Sequence, residues 1–191
     1  VRFRDAEDKD LSYLAWTTTP WTLPSNVALA VSAASQYVEV SVPREDGSGE
    51  RLVVAADLAE KLFAPPAKKK GEEEEAAAPE PVFSDPFPGS DLVGRRYLQL
   101  LDFKEPEGGK AFEIIAADFV VIDASQEHGS GTGIVHIAPA FGEDDYRIAR
   151  EEGLGYLQLV DEQGRMSPET GELAGRFCKD ADREIIALLK E

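Results

Sequence analysis

The sequence predicts a mostly β fold of the α+β class, a barrel or sandwich with helices attached to its outside. Three observations carry that expectation. Short apolar runs rich in β-branched and aromatic residues recur along the chain, divided by Gly, Pro, Asp and Asn. Only three stretches show helical spacing. No internal repeat is visible.

The elements follow in chain order. Residues 11–18 (LSYLAWTT) are apolar on both faces and predict a buried strand ended by Pro20, with Pro20 and Pro24 keeping the next stretch out of helix and central strand. Asn26 to Val31 predicts a second strand, and Tyr37 to Val42 alternates cleanly as a third. A turn at Glu45 to Gly49 leads into Arg51 to Val54, its hairpin partner. Ala56 to Phe63 has helical spacing, with Leu58, Leu62 and Phe63 on one stripe. Residues 64–81 (APPAKKKGEEEEAAAPEP) are low in complexity and offer nothing to bury, which predicts a solvated surface insertion. Beyond it, Arg96 to Phe103, Ala111 to Ala116 and Phe119 to Asp123 predict further short strands. Gly131-Thr132-Gly133 introduces the strand Ile134 to Ile137, then a loop through Gly142 and a helix from Glu143 to Glu152 stopped by Gly153. Gln158 to Met166 predicts a hairpin around Asp161-Glu162-Gln163-Gly164, and Asp180 to Lys190 an amphipathic closing helix.

Composition narrows the classes of function. The 191 residues suit one large domain, with 42% hydrophobic residues for a core. No apolar run approaches the roughly 20 residues of a membrane helix, and no basic-then-apolar leader opens the chain. The chain starts at Val1 with its only methionine at position 166, the look of a piece of a longer protein. One cysteine, Cys178, rules out an internal disulfide and points to a reducing compartment. With it and two histidines, no structural zinc site is expected. The net charge of −17 does not suit a grip on many phosphates, so any contact with nucleic acid is expected at an end only.

Two stretches carry candidate chemistry. In AWTTTPWTLPSN (Ala15 to Asn26) three hydroxyls, Thr17, Thr18 and Thr19, stand between the indoles of Trp16 and Trp21. β-branched residues favour strands on their own account, but that does not explain three hydroxyls just before a proline. In GTGIVHIAPAFGEDDY (Gly131 to Tyr146), Asp145 shares a helix stripe with Phe141, Ile148 and Ala149. An inward aspartate needs a partner, and two readings stand side by side: a first-turn carboxylate satisfying backbone N–H groups, or a fixed anion awaiting a cation. His136, late in an apolar strand and nine residues before Asp145, is either a satisfied core histidine or part of the same rim. No nucleophile–base pair, Walker loop, dinucleotide fingerprint or His-Glu-x-x-His motif is present.

Together, AWTTTPWTLPSN and GTGIVHIAPAFGEDDY resemble the signature segments of the editing (CP1) domain of the isoleucyl-tRNA synthetase family. The likeness continues through VDEQGR and GELAGRFCKDADREII, so it covers most of the chain. The related valyl and leucyl enzymes lack the double-Trp WTTTPWT form and the HIAPAFGEDDY wording. Two departures stand out. The insertion at 64–81 is unlike compact family members, and the synthetic-site signatures His-Ile-Gly-His and Lys-Met-Ser-Lys-Ser are absent.

The resemblance implies a small closed β-barrel with peripheral helices, residues 1–191 forming a single editing domain of a larger, cytoplasmic synthetase. It implies hydrolysis of valyl-tRNA(Ile), with valyl-adenylate as a second substrate, and no synthetic activity. Thr17, Thr18 and Asp145 take catalytic roles; Thr19, Trp21, Asn26 and His136 bind substrate, Asp145 holding the α-ammonium group. No cofactor or metal is expected. The implied partners are the 3′ acceptor end of mischarged tRNA(Ile) and the rest of the synthetase, the chain itself being a monomer. The rivals are a non-catalytic barrel that binds a tRNA acceptor end and a free-standing hydrolase of small esters or amides.

The insertion yields a first test. Replacing residues 65–79 with a short Gly/Ser link should leave the melting temperature nearly unchanged, because loop length alone costs little entropy. A drop of many degrees would show that the segment packs.

Overall fold

The computed structural model describes residues 1–43, 49–64, 80–123 and 131–190. The turn expected at 45–49 falls almost wholly outside these residues, as does most of the insertion expected at 64–81.

The regular ladders make two sheets. The larger contains β1 (Arg2–Arg4), β2 (Leu11–Leu14), β4 (Gln36–Pro43), β5 (Gly49–Ala55), β6 (Val82–Phe83) and β7 (Phe87–Pro88), in the order β1-β2-β5-β4-β6 with β7 also on β4. The smaller contains β3 (Ala28–Val31), β8 (Glu113–Ala116) and β9 (Ile134–Ile137), in the order β8-β3-β9. Three α-helices, α1 (Ala56–Phe63), α2 (Glu143–Glu152) and α3 (Asp182–Leu188), and four short 3₁₀ helices complete the regular structure of the described residues.

The smaller sheet positions the site. Strand β3 pairs parallel with β8 and antiparallel with β9, Leu29 facing His136. Both faces are buried. Leu29, Val31, Ile114 and Ile134 enter one core, while Ala28, Ala30, Ile115 and Ile137 enter another with Ile148 and Ala149 of α2. This double burial is why β3 reads ALAV without a polar alternation.

Single contacts join the edges of the two sheets. The segment 95–98 bridges Asp5 through Tyr97 and Glu113 through Arg96, so it stands between β1 and β8. At the other side the Ala55 N–H donates to the Thr132 carbonyl at 2.9 Å. The Tyr37 hydroxyl donates to the Gly133 carbonyl at 2.7 Å. These are isolated pairings, and among the described residues the regular ladders do not run on into one closed barrel.

Several elements match expectation: the β4–β5 hairpin, α1, β9, and α2 ending at Gly153 in a left-handed conformation. Others need correction. The strand expected at 11–18 is regular only to Leu14; Ala15 still pairs with Val1, and beyond it Thr17 Oγ1 accepts the Thr19 N–H at 3.1 Å in a turn that keeps 17–19 out of the ladder. The prolines do not keep the next stretch from helix: Pro20–Ser25 is a 3₁₀ helix with Pro20 at its start, where a missing N–H costs nothing. Of 96–103 only Arg96 and Tyr97 form bridges, and 119–123 forms no strand. The 158–166 hairpin reduces to a tight turn with one bridge, Val160 to Met166. The closing helix is shorter than expected and follows a 3₁₀ turn, Cys178–Ala181. On α1, Leu58 and Ala59 are buried, while Leu62 points to solvent. Strands β1, β6 and β7 are too short to show a period in sequence.

Gly133 is required where it stands. Its φ is +80°, and a Cβ there would collide with the Ala55 Cβ at the seam between the sheets. Gly133→Ala should lower stability by about 3 kcal/mol, from left-handed strain plus overpacking. In thermal unfolding that is a fall of roughly 6–12 °C; a change of a degree or two would mean the seam adapts freely.

Candidate functional site

The threonine ledge is built by the turn that ends β2. Thr17 is half-buried, and Thr18 and Thr19 are exposed. Inside the 3₁₀ helix, Thr22 lies three residues from Thr19, and its hydroxyl donates to the Thr19 carbonyl at 2.8 Å while touching Thr19 Oγ1 at 3.3 Å. The Thr18 hydroxyl bonds to no described residue and is open to the outside.

His136 is the buried partner of this ledge. Its Nε2 lies 3.3 Å from Thr17 Oγ1 and 3.4 Å from Thr22 Oγ1. Both neutral tautomers fit: Nε2 takes the Thr17 proton, or Nε2–H donates to Thr22, whose own proton is engaged by Thr19. Nδ1 is buried and has no partner among the described residues. The side chain is 9% exposed, and burial pushes its pKa down to about 4. At neutral pH it is an uncharged ring and a poor base.

Trp21 ties the ledge to the second signature segment. Its ring meets Phe141 edge-on, with centroids 4.9 Å apart. Its backbone N–H donates to Asp182 Oδ1 of α3 at 2.9 Å, which anchors the start of the 3₁₀ helix. Trp16 is 51% exposed, at the rim beside Gly131.

Asp145 sits in the first turn of α2, half-buried, and its Oδ2 accepts the Ala138 N–H at 2.8 Å. Both expected readings meet here. A backbone group is satisfied, though on the loop rather than in the helix, and no cation pairs with the carboxylate among the described residues. Burial pushes its pKa up; the Ala138 bond pulls it down and Asp144 adds to the rise. A Cβ on Gly142 would stand 3.0 Å from the Asp145 carboxyl carbon, so glycine leaves the room it needs.

Asn26 is 3% exposed, and its amide faces inward. Nδ2 donates to the Ala28 carbonyl at 2.8 Å, and Oδ1 accepts the Tyr97 hydroxyl at 2.6 Å. Sequence reasoning passed over Thr22, Tyr97 and Asp182. Thr22 was legible: once Pro20 is taken as a helix start, Thr19 and Thr22 fall on one face. Tyr97 and Asp182 reach the site only through the tertiary fold, and no local pattern marks them.

No family model matches the chain. Over all 191 residues it is 41% identical to the isoleucine–tRNA ligase of Clostridium novyi (strain NT), covering 16% of that protein. It is also 40% identical to the cytoplasmic isoleucine–tRNA ligase of Schizosaccharomyces pombe, covering 17% of it. Along its whole length the chain is homologous to a segment of isoleucine–tRNA ligases. All of this chain is matched, but it spans only 16% of the length of the first of these ligases. Its structure is similar to the crystal structure of GlLeuRS-CP1, with a TM-score of 0.62 and 16% identity over 94% of this chain and 77% of that one. This likeness establishes the fold alone.

The buried imidazole gives a test of the site's electrostatics. Its folded pKa lies below the ordinary value of about 6.5, so the unfolded chain takes the proton more readily. Its contribution to stability is therefore complete above about pH 6.5 and is lost as pH falls toward 4, roughly 3 kcal/mol in all. Ring-proton NMR should show His136 titrating near pH 4. His136→Gln should lack this part of the acid destabilisation; a titration near 6.5 would contradict the burial.

Proposed function

We propose that this segment is the hydrolytic proofreading domain of an isoleucyl-tRNA synthetase, removing valine from valyl-tRNA(Ile). The observation that carries this reading is the homology of the whole chain to a segment of isoleucine–tRNA ligases. The geometry supports it: a ledge of hydroxyls beside a neutral buried ring, with an ionisable carboxylate near the same strand end. Isoleucyl-tRNA synthetase is itself the standard example of such a two-step sieve. The closed barrel belongs to this reading too, supported by the single bridges that link the two sheets.

An aminoacyl ester is already activated, so hydrolysis needs a placed water and a fixed substrate more than a strong nucleophile. Thr17 and Thr18 orient the water and the terminal ribose. Asp145 pairs with the α-ammonium group, its ionised form favoured by the Ala138 N–H and the start of α2. Trp21 and Phe141 wall the pocket, and the exposed Trp16 offers a face to a base. Asn26 acts from behind, holding β3 and β9 rather than touching substrate. With a net charge of −17, the domain meets only the 3′ acceptor end, and the rest of the synthetase holds the tRNA body.

Isoleucine is excluded by shape. An extra methylene gains about 0.8 kcal/mol on burial, the wrong direction for an editing site, so a wall must reject it. His136 is that wall, braced by Thr17 and Thr22; Thr19 reaches it only through Thr22.

Single-turnover deacylation tests both roles. Asp145→Ala should slow valyl-tRNA(Ile) hydrolysis about 10- to 150-fold, the worth of a charge-assisted contact of about 1.5–3 kcal/mol. His136→Ala should admit isoleucyl-tRNA(Ile) and hydrolyse it, with valine removal reduced less. Wild-type rates in a folded Asp145→Ala chain would remove it from the site. Loss of all activity in His136→Ala, with isoleucine still spared, would end the steric role.

A further inference from the structure

Tyr97 stands behind the site, yet a chain of contacts runs from its hydroxyl to Asp145. The hydroxyl donates to Asn26 Oδ1 at 2.6 Å, which fixes the way the amide faces. Nδ2 then donates to the Ala28 carbonyl at 2.8 Å and points to the Ile137 carbonyl at 3.5 Å. The second contact is long, but the neighbouring Val27 N–H reaches the same Ile137 oxygen at 2.9 Å. The Ile137 carbonyl and the Ala138 N–H belong to one planar peptide unit. That N–H donates to Asp145 Oδ2 at 2.8 Å. Donors on the carbonyl side both orient the plane and polarise the N–H on the other side.

The surroundings hold Tyr97 in place. Its ring meets Phe3 and Phe112 edge-on, with centroids 5.4 and 6.0 Å away. Phe112 has φ +58°, a left-handed backbone that a bulky aromatic rarely adopts. In that conformation its N–H donates to the Val27 carbonyl at 2.7 Å, and its own carbonyl accepts the Tyr97 N–H at 2.9 Å. The strained residue thus clamps Tyr97 and the backbone next to Asn26 at once.

We propose that Tyr97 is a positioning residue for Asp145, acting through the Asn26 amide and the Ile137–Ala138 peptide unit. The proposal rests on the proofreading reading, in which Asp145 holds the substrate's ammonium group. The charged groups near Asp145 are Asp144 and Glu143 of its own turn, while His136, two residues before Ala138, is neutral.

The test is Tyr97→Phe in this chain, which removes one oxygen and keeps the ring. The Ala138 amide proton should move upfield and exchange about fivefold faster or more, and the Asp145 carboxyl should titrate at higher pH. KM for valyl-tRNA(Ile) should rise about tenfold with kcat falling less than about threefold, because the anchor binds ground state and transition state alike. Phe3→Leu trims the same aromatic cluster without touching the relay. It should lower the melting temperature and leave the Ala138 amide and the Asp145 titration as in wild type. If Tyr97→Phe does not fold, the double variant Tyr97→Phe with Asn26→Leu removes the amide oxygen that the lost hydroxyl would strand and should show the same shifts. An unchanged Ala138 amide and Asp145 titration, or equal changes in Phe3→Leu, overturn the proposal. These two readouts need no substrate. Failure of the proofreading reading would show instead as a wild-type chain that does not hydrolyse valyl-tRNA(Ile).

Discussion

Leu29 faces His136 across the β3–β9 pair, and the candidate site depends on that register. Strand side chains alternate, so a slip of one residue would send His136 into the core shared with α2 and bring Ile137 toward the threonines. Double burial makes such a slip costly, because neither face of the small sheet tolerates the other's side chains. The register also fixes the Ile137–Ala138 peptide, which holds Val27 on one side and Asp145 on the other. The ledge, the ring and the carboxylate are three readings of one strand's placement.

Burial then decides the chemistry these groups can do. The imidazole is kept neutral by its surroundings, while the Asp145 carboxyl is pushed up by burial and pulled down by the Ala138 N–H. The two groups differ because His136 is buried and Asp145 only half-buried. The hydroxyls follow the same division: Thr22 is buried and brackets the ring, whereas Thr18 is exposed and has no partner among the described residues.

Much of this was legible in the sequence, for local reasons. The β4–β5 hairpin, α1, β9 and α2 carry clean periods and clear stops, and all stand where the pattern puts them. Asp145 followed from its helix stripe. The errors lie where one residue overrode a pattern. Thr17 turned an apolar strand away, and Pro20 began a helix instead of preventing one. Strands of two or three residues carry no readable period, and the single bridges at 95–98 are set by what lies on either side. Asn26 matched a family position, but its inward amide depends on Tyr97, 71 residues away.

The separations along the chain have a consequence for how the domain comes into being. Thr17 meets a residue 119 positions later, and Trp21 is anchored by one 161 positions later. Contacts this distant close slowly, since the intervening chain must be ordered before they form. A nascent chain therefore lacks the Asp182 anchor of the 3₁₀ helix until α3 has left the ribosome. Topology places the completion of the candidate site late in the synthesis of this segment.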